Sequence, residues 1–349
     1  MPTPRSRRAP APFAARPHSR SPAPLQTSTD ELGTYSEGEL LDDPAAFEDA
    51  LSAIEPLSDK CLKAISNLAR YKPPPDPYPF PEGRSAVLVV LFGSRSGENL
   101  NVLLSTRSQT LRTYPGQVAL PGGKMDDTDI NLEATARREG ESAFSRNSNR
   151  IILTSVFPAA FEEIGLPIDT TRIRYLTTLP PFLARSMMLV TPVVCLNLDY
   201  SLRPELNHAE VADLFSFPLE GFLTSDERAP LFHRPPPARV ERGEVPYLTT
   251  EDYPWFDGKK HRYHAFEAEP QPITGLTAEI LIHVAMVAYN RPPDFKLRAP
   301  DQMSMHELIL RAMRDPRWHD FRDSWRQKKS APTDQTEVGR VAVEVKGKL

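Results

Sequence analysis

The residues best suited to do chemistry are three glutamates that the chain keeps apart. Residues 121–139 read PGGKMDDTDINLEATARRE and residues 160–166 read AFEEIGL. Glu139 closes the first stretch, Glu162 and Glu163 sit in the second, and Gly140 to Ala159 lie between them. With that segment left out, the three carboxylates fall at i, i+3 and i+4, on one face of one helix. Such a cluster can hold a divalent cation against a diphosphate. As written, Glu139 and Glu163 are 24 positions apart.

Other residue types fit the same chemistry. Cleaving a diphosphate needs charge neutralisation on the non-bridging oxygens and an activated water. Gly122 and Gly123 permit a sharp turn that brings a backbone carbonyl to a cation. Arg138 would pair with a neighbouring glutamate and steady the ligand face. Each residue also has an ordinary reading. Two glutamates four apart are most often a solvated helix face, and Arg138, Arg107 and Arg112 taken singly are surface charges. Asp126, Asp127 and Asp129 serve a turn as readily as a metal. Glu210 is either a further carboxylate or the start of a helix through PLEGFL. His208, His261 and His264 lack metal-ligand spacing and are read as incidental.

The elements that must position these groups are legible in outline. AVLVVLF (86–92) reads as a buried strand and LNVLLSTR (100–107) as its hairpin partner across GSRSGEN. Leu132 to Glu139 reads as helix. Further strands are expected at Ile173–Leu179, Met188–Leu196 and around His261–Phe266, and an apolar helix at Thr277–Tyr289. Phe47 to Tyr71 has helical spacing broken near Pro56, and KPPPDPYPFPEG reads as a linker or wrapping arm. A short amphipathic stretch runs from Met303 to Met313. Residues 1–45 and the last 25 are expected to be disordered. The expected organisation is a basic proline-rich tail (1–45), a helix and linker (46–84), a catalytic domain (85–292) and a C-terminal extension (293–349). Strands and helices in non-alternating order indicate an α+β fold or an α/β/α sandwich.

Composition narrows the function. A net charge of −4 gives no bulk electrostatic case for nucleic acid. The two cysteines, Cys61 and Cys195, fit a reducing compartment and ordinary burial. No apolar run is long enough to span a bilayer.

The segment LLSTRSQTLRTYPGQVALPGGKMDDTD (103–129) resembles the coenzyme A diphosphatase branch of the Nudix hydrolases. Arg107, Ser108, Leu111, Arg112, Gly116, Gln117, Pro121, Gly122 and Gly123 match that branch's L-L-x-x-R-S-x-x-L-R-x-x-x-G-x-x-x-F-P-G-G. Leu120 stands where the branch usually has Phe. Asp129 and the spacing from Gly123 to Glu139 fit the branch's variant box. EVADLFSFPLEGFL (210–223) and ITGLTAEIL (273–281) are similar to later blocks of the same branch. Removing Gly140 to Ala159 restores the family's R-E-x-x-E-E-x-G-L in frame.

The resemblance implies a Nudix α/β/α sandwich with a mixed sheet and a catalytic strand–loop–helix. It implies a Mg²⁺- or Mn²⁺-dependent hydrolase acting on a small-molecule substrate, coenzyme A or a derivative. The products would be 3′,5′-ADP and 4′-phosphopantetheine or its acyl form. Glu139, Glu162 and Glu163 would bind metal, with Arg138 beside them. Arg107, Arg112 and Gln117 would position the coenzyme A moiety, its phosphates suited to the bidentate donors of arginine. ADP-ribose is the nearest alternative substrate. A coenzyme A- or nucleotide-binding protein without turnover is the alternative activity, because the intervening segment splits the metal helix.

That segment, GESAFSRNSNRIILTSVFPA, reads as a translated intron. Gly140-Glu141-Ser142 can be encoded with GTGAGT at the junction, and Leu153-Thr154 with a CTGAC branch sequence. The rival reading is a genuine insertion looped out of the fold, with Pro158 opening a new helix that carries Glu162 and Glu163. The implied coenzyme A chemistry favours a mitochondrial or peroxisomal address over the cytosol. The arginine-rich, acid-free residues 1–29 are similar to a presequence, but their prolines favour a plain basic tail, and the Gly-Lys-Leu ending departs from Ser-Lys-Leu at its first position.

Overall fold

The structure is a computed structural model that describes residues 34–35, 57–78, 83–124, 163, 172–199, 201, 206–226 and 237–330. In chain order the elements are β1 (Thr34–Tyr35), α1 (Asp59–Arg70), β2 (Tyr71–Lys72), β3 (Arg84–Gly93), β4 (Leu100–Arg107), β5 (Val118–Ala119), β6 (Gly122–Lys124), β7 (Ile173–Thr178), β8 (Phe182–Leu183), β9 (Leu189–Asn197) and β10 (Val211–Pro218). There follow a 3₁₀ turn (Leu219–Leu223), α2 (Ala238–Glu241), β11 (Leu248–Pro254), β12 (Lys260–Phe266), β13 (Ile273–Thr274), α3 (Gly275–Tyr289), α4 (Met305–Ala312) and α5 (Pro316–Ser330).

The main sheet runs β10-β4-β3-β9-β7, with β5 paired to β4, β6 to β3 and β8 to β9. It is mixed: β3 lies parallel to β9 and antiparallel to β4 and β6. β3 reads as an unbroken apolar run because both of its faces are buried. Val89 and Leu91 enter the main core with Leu100, Val102 and Leu104 of β4. Ala86, Leu88 and Val90 point the other way, to a second cluster with Ile173, Val193 and Cys195. The fold is thus α+β around a mixed sheet. The helix expected at Leu132–Glu139, and with it the catalytic strand–loop–helix, lies outside the described residues.

Two helices cover the main-core face. α1 starts where the Ser58 hydroxyl accepts from the Cys61 N–H. Its Cys61, Ala64, Ile65 and Leu68 form one buried stripe at i, i+3, i+4 and i+7. The prolines after Lys72 forbid its continuation. α3 is apolar all round because it is enclosed by the sheet, α1 and β12. It stops at Asn290, whose left-handed φ of 46° makes the C-terminal cap. A second sheet, β11-β12-β13, packs its β12 and β13 on α3. α4 opens with a reciprocal capping box between Ser304 and Glu307. Leu308 and Ile309 of α4 and Trp318 of α5 then bury with Tyr78, Leu183 and Leu189. Both cysteines are free and buried. Among the described residues no helix is long and apolar enough to cross a membrane.

Four expectations change. Glu210 does not open a helix: Val211–Pro218 is a strand paired with β4, and only Leu219–Leu223 turns helically. β11 was not anticipated; its residues LTTEDYP are mostly exposed, so no apolar alternation marks it. α5 runs to Ser330, past the start of the expected disordered tail at residue 325, because Trp318 and the nearly buried Arg322 share one face. Within the tail read as disordered, Thr34 and Tyr35 pair with Lys72 and Tyr71.

Candidate functional site

The site begins at the glycine turn. Gly122 lies opposite Val87 and Gly123 opposite Ala86 in the β6–β3 ladder. Leu88 N donates to the Pro121 carbonyl at 2.7 Å, and Ser85 Oγ donates to the Gly123 carbonyl at 2.7 Å. The backbones approach so closely that a Cβ at Gly122 would sit 2.3 Å from the Ala86 carbonyl oxygen. Glycine is therefore required here by proximity.

Glu163 meets this turn. Its Oε2 accepts from Gly122 N at 3.3 Å, while its own carbonyl accepts from Asn207 N at 3.1 Å. A carboxylate and the peptide oxygens of the turn are hard oxygen donors of the kind a small divalent cation takes. Among the described residues no three His, Cys, Asp or Glu side chains converge on one point, so these donors could supply only part of a ligand set. Glu139, Glu162 and Arg138 lie outside the described residues, as do Asp126, Asp127, Asp129 and the segment 140–159.

The arginine loop sits one step upstream. Arg107 N donates to the Gln117 carbonyl at 2.9 Å, and Gly116 N donates back to the Arg107 carbonyl at 3.1 Å. This double clasp closes residues 107–117 into a loop, with Gly116 at a left-handed φ of 69°. Arg107 Nε donates to the Thr113 carbonyl at 3.3 Å and stiffens the loop. Ser108 N donates to the Glu210 carbonyl at 2.8 Å, tying the loop to the start of β10. Arg112 and Gln117 are exposed. β5 follows directly, with Ser105 opposite Ala119, and delivers the chain to Gly122. The structure thus joins Arg107, Gln117, Gly122 and Gly123 along β4, β5, β6 and the loop between, with Glu163 hydrogen-bonded to Gly122 and Arg112 on the loop between the clasped residues.

The histidines read as incidental include a buried polar cluster. His261 Nε2 lies 3.3 Å from Glu279 Oε2 on α3. Burial works against ionisation of Glu279, yet the His261 hydrogen bond and neighbouring imidazoles hold its carboxyl below the usual range. Burial depresses His264 to about 4. The 18-residue separation of His261 and Glu279 joins a strand to a helix, a contact without a local sequence signal.

A family model described as NUDIX domain matches residues 82–142 of the chain. That match spans the arginine loop and the glycine turn and ends three residues after Glu139. "Nudix hydrolase 15, mitochondrial" of Arabidopsis thaliana is 34% identical over 230 residues, covering 64% of this chain and 65% of the relative. "Peroxisomal coenzyme A diphosphatase 1, peroxisomal" of Saccharomyces cerevisiae is 34% identical over 195 residues, 50% of this chain and 53% of the relative. "Peroxisomal coenzyme A diphosphatase ndx-8" of Caenorhabditis elegans is 30% identical over 219 residues, 61% of this chain and 73% of the relative. The chain spans just under two thirds of the plant relative's length and about half of the yeast relative's.

Proposed function

We propose, for a chain that belongs to the Nudix hydrolase family, that the substrate is coenzyme A or an acyl derivative and the scissile bond its diphosphate. Water adds to one phosphorus, the bridging P–O bond breaks, and 3′,5′-ADP and 4′-phosphopantetheine (or its acyl form) leave with release of a proton. The observation that carries this reading is the continuous path from the clasped arginine loop to the glycine turn, where the Glu163 carboxylate arrives. The arginine motif and the names of the yeast and worm relatives support coenzyme A as the substrate class.

The roles follow from residue chemistry. Glu139, Glu162 and Glu163 would hold a Mg²⁺ or Mn²⁺ ion, with Arg138 steadying them. Bound there, the ion would neutralise phosphate charge and lower the pKa of water. Gly122 N–H orients the Glu163 carboxylate. Arg107, Arg112 and Gln117 would bind the nucleotide half, the guanidinium forks matching phosphate oxygens. The segment 140–159 is a translated intron in this reading, and the mature active form lacks it. A mitochondrial or peroxisomal location fits a coenzyme A substrate and the locations in the relatives' names.

The test is metal-dependent release of 3′,5′-ADP from coenzyme A by the chain as written and by one lacking Gly140 to Ala159. Activity in the deletion alone supports the intron. Activity in both means the segment loops out and the carboxylates reassemble. Glu163→Gln should lower turnover by roughly 10- to 100-fold or more. If both folded forms ignore coenzyme A but cleave ADP-ribose, the substrate assignment is wrong. Coenzyme A binding without cleavage by either would reduce the protein to a binding module.

A further inference from the structure

A cavity of about 650 Å³ lies between α3, α4, the Tyr71–Tyr78 arm and the turn from β7 to β8. That size is within the range of small-molecule sites. Its floor is apolar, built by Leu179, Phe182, Met286 and Ile309. Five prolines make much of the wall: Pro74, Pro75 and Pro77 from the arm, Pro180 and Pro181 from the turn. Proline has no N–H, so this wall offers no backbone donor for an apolar ligand to leave unpaired. Its fixed φ also leaves little to order on binding.

The charged groups are engaged or peripheral. Arg84 Nη1 donates to Asp76 Oδ2 at 2.5 Å, and Arg298 is exposed. Two further polar features line it: Tyr78 Oη lies 2.7 Å from His306 Nδ1, and His283 Nδ1 lies 2.8 Å from the Glu279 carbonyl oxygen. Burial pushes the Tyr78 hydroxyl up to about 12, so it stays protonated. Such a chamber, with an apolar floor and few polar groups, suits an apolar chain carrying an occasional amide.

Its place relative to the glycine turn follows from two consecutive residues of β3. Ser85 Oγ holds the Gly123 carbonyl, and Arg84 holds both Asp76 and the Tyr78 carbonyl. Strand rise and the reach of one arginine put the cavity wall on the order of 15 Å from Gly123. An extended pantetheine arm is comparable in length. We propose that this proline-walled cavity receives the acyl end of acyl-pantetheine while the diphosphate lies at the glycine turn. This rests on the coenzyme A reading above and adds a chain-length preference to it.

The experiment uses the full chain and its 140–159 deletion, whichever is active. kcat/KM is measured for coenzyme A and for acetyl, octanoyl and dodecanoyl coenzyme A. Octanoyl-pantetheine, which lacks the diphosphate, is titrated calorimetrically as a separate probe. Each methylene that enters should raise kcat/KM about three- to fourfold until the cavity is filled. Leu297→Trp, at a partly buried lining position, and Met286→Trp, on the floor, should narrow the cavity. Either one, provided it is folded, should abolish the chain-length gain and weaken octanoyl-pantetheine at least tenfold, while coenzyme A itself is cleaved as before. Equal kcat/KM along the series, with no octanoyl-pantetheine binding, overturns the cavity assignment even if coenzyme A is cleaved. Octanoyl-pantetheine binding that Leu297→Trp removes, with no coenzyme A hydrolysis, keeps the cavity and sinks the coenzyme A reading instead.

Discussion

Replacing Gly122 by alanine should damage fold and site together, and the structure sets the size. The added Cβ would lie 2.3 Å from the Ala86 carbonyl oxygen and 2.8 Å from Val87 Cα, both rigid backbone atoms. Relief to a normal C···O contact requires β6 to move away from β3 by about 1 Å. That shift stretches two bonds now at 2.7 Å, Leu88 N to Pro121 O and Ser85 Oγ to Gly123 O, beyond hydrogen-bond length. Two lost bonds at about 1 kcal/mol each, with residual overpacking of about 1–2 kcal/mol, give a destabilisation of about 3 kcal/mol. The same shift moves Gly122 N–H from Glu163, and a 1 Å misplacement at a reacting centre costs on the order of 100-fold in rate. Urea denaturation followed by circular dichroism measures the first effect. Release of 3′,5′-ADP, at a temperature where the variant is folded, measures the second. A G122A protein within about 0.5 kcal/mol of the parent and within about threefold of its rate would refute the close-approach argument.

Three further outcomes follow from single contacts. Asp76→Ala removes a carboxylate that the Arg84 guanidinium, 8% exposed, donates to, while its bond to the Tyr78 carbonyl stays. Because Asp76 is itself 30% exposed, urea unfolding should show a loss of about 2 kcal/mol rather than the larger cost of a fully buried pair. His264 titrates near 6.5 when unfolded and is held at about 4 by burial when folded, so the unfolded chain takes up the proton first. Its stability contribution is therefore complete above pH 6.5 and falls away toward pH 4, by about 3 kcal/mol in total. His264→Phe should flatten the denaturation midpoint across that window, and an unchanged slope would exclude the mechanism. Ser304→Ala removes the oxygen that accepts from Glu307 N at 3.2 Å, costing about 1 kcal/mol and loosening α4 in amide exchange at Leu308 and Ile309.

What the sequence discloses of this fold depends on whether the signal is local. β4 is legible because its apolar residues recur at the strand period, and α3 because its enclosed apolar run is too long for a strand. β11 is opaque for the opposite reason: it is held by its complete register with β12, and its side chains face solvent. α5 hides likewise, since Trp318 and Arg322 are the buried points among its described side chains, in a polar stretch. The arginine loop is legible through its motif, and the clasp from Arg107 to Gln117 spans only ten positions.

The Glu163 contact differs from these. It joins residues 41 apart, and no periodicity connects them. Reading the three glutamates as one helix face makes their spacing the whole of the problem, because twenty inserted residues displace any helical register. The structure gives Glu163 an anchor of a different kind: Asn207 N holds its carbonyl just ahead of β10, and Gly122 N holds its carboxylate. Asn207 lies just ahead of β10 and Gly122 on β6 of the main sheet. A carboxylate held from the sheet in this way is expected to keep its place whether or not residues 140–159 precede it. Register therefore bears on Glu139 alone, as the residue that must be brought to an already positioned Glu163. The deletion is then expected to change metal affinity through Glu139 while the Gly122–Glu163 contact survives. Equal Gly122 amide exchange in the two forms, beside unequal Mn²⁺ affinity, is the result this predicts; a Gly122 amide that loses protection in either form would return the argument to helix register.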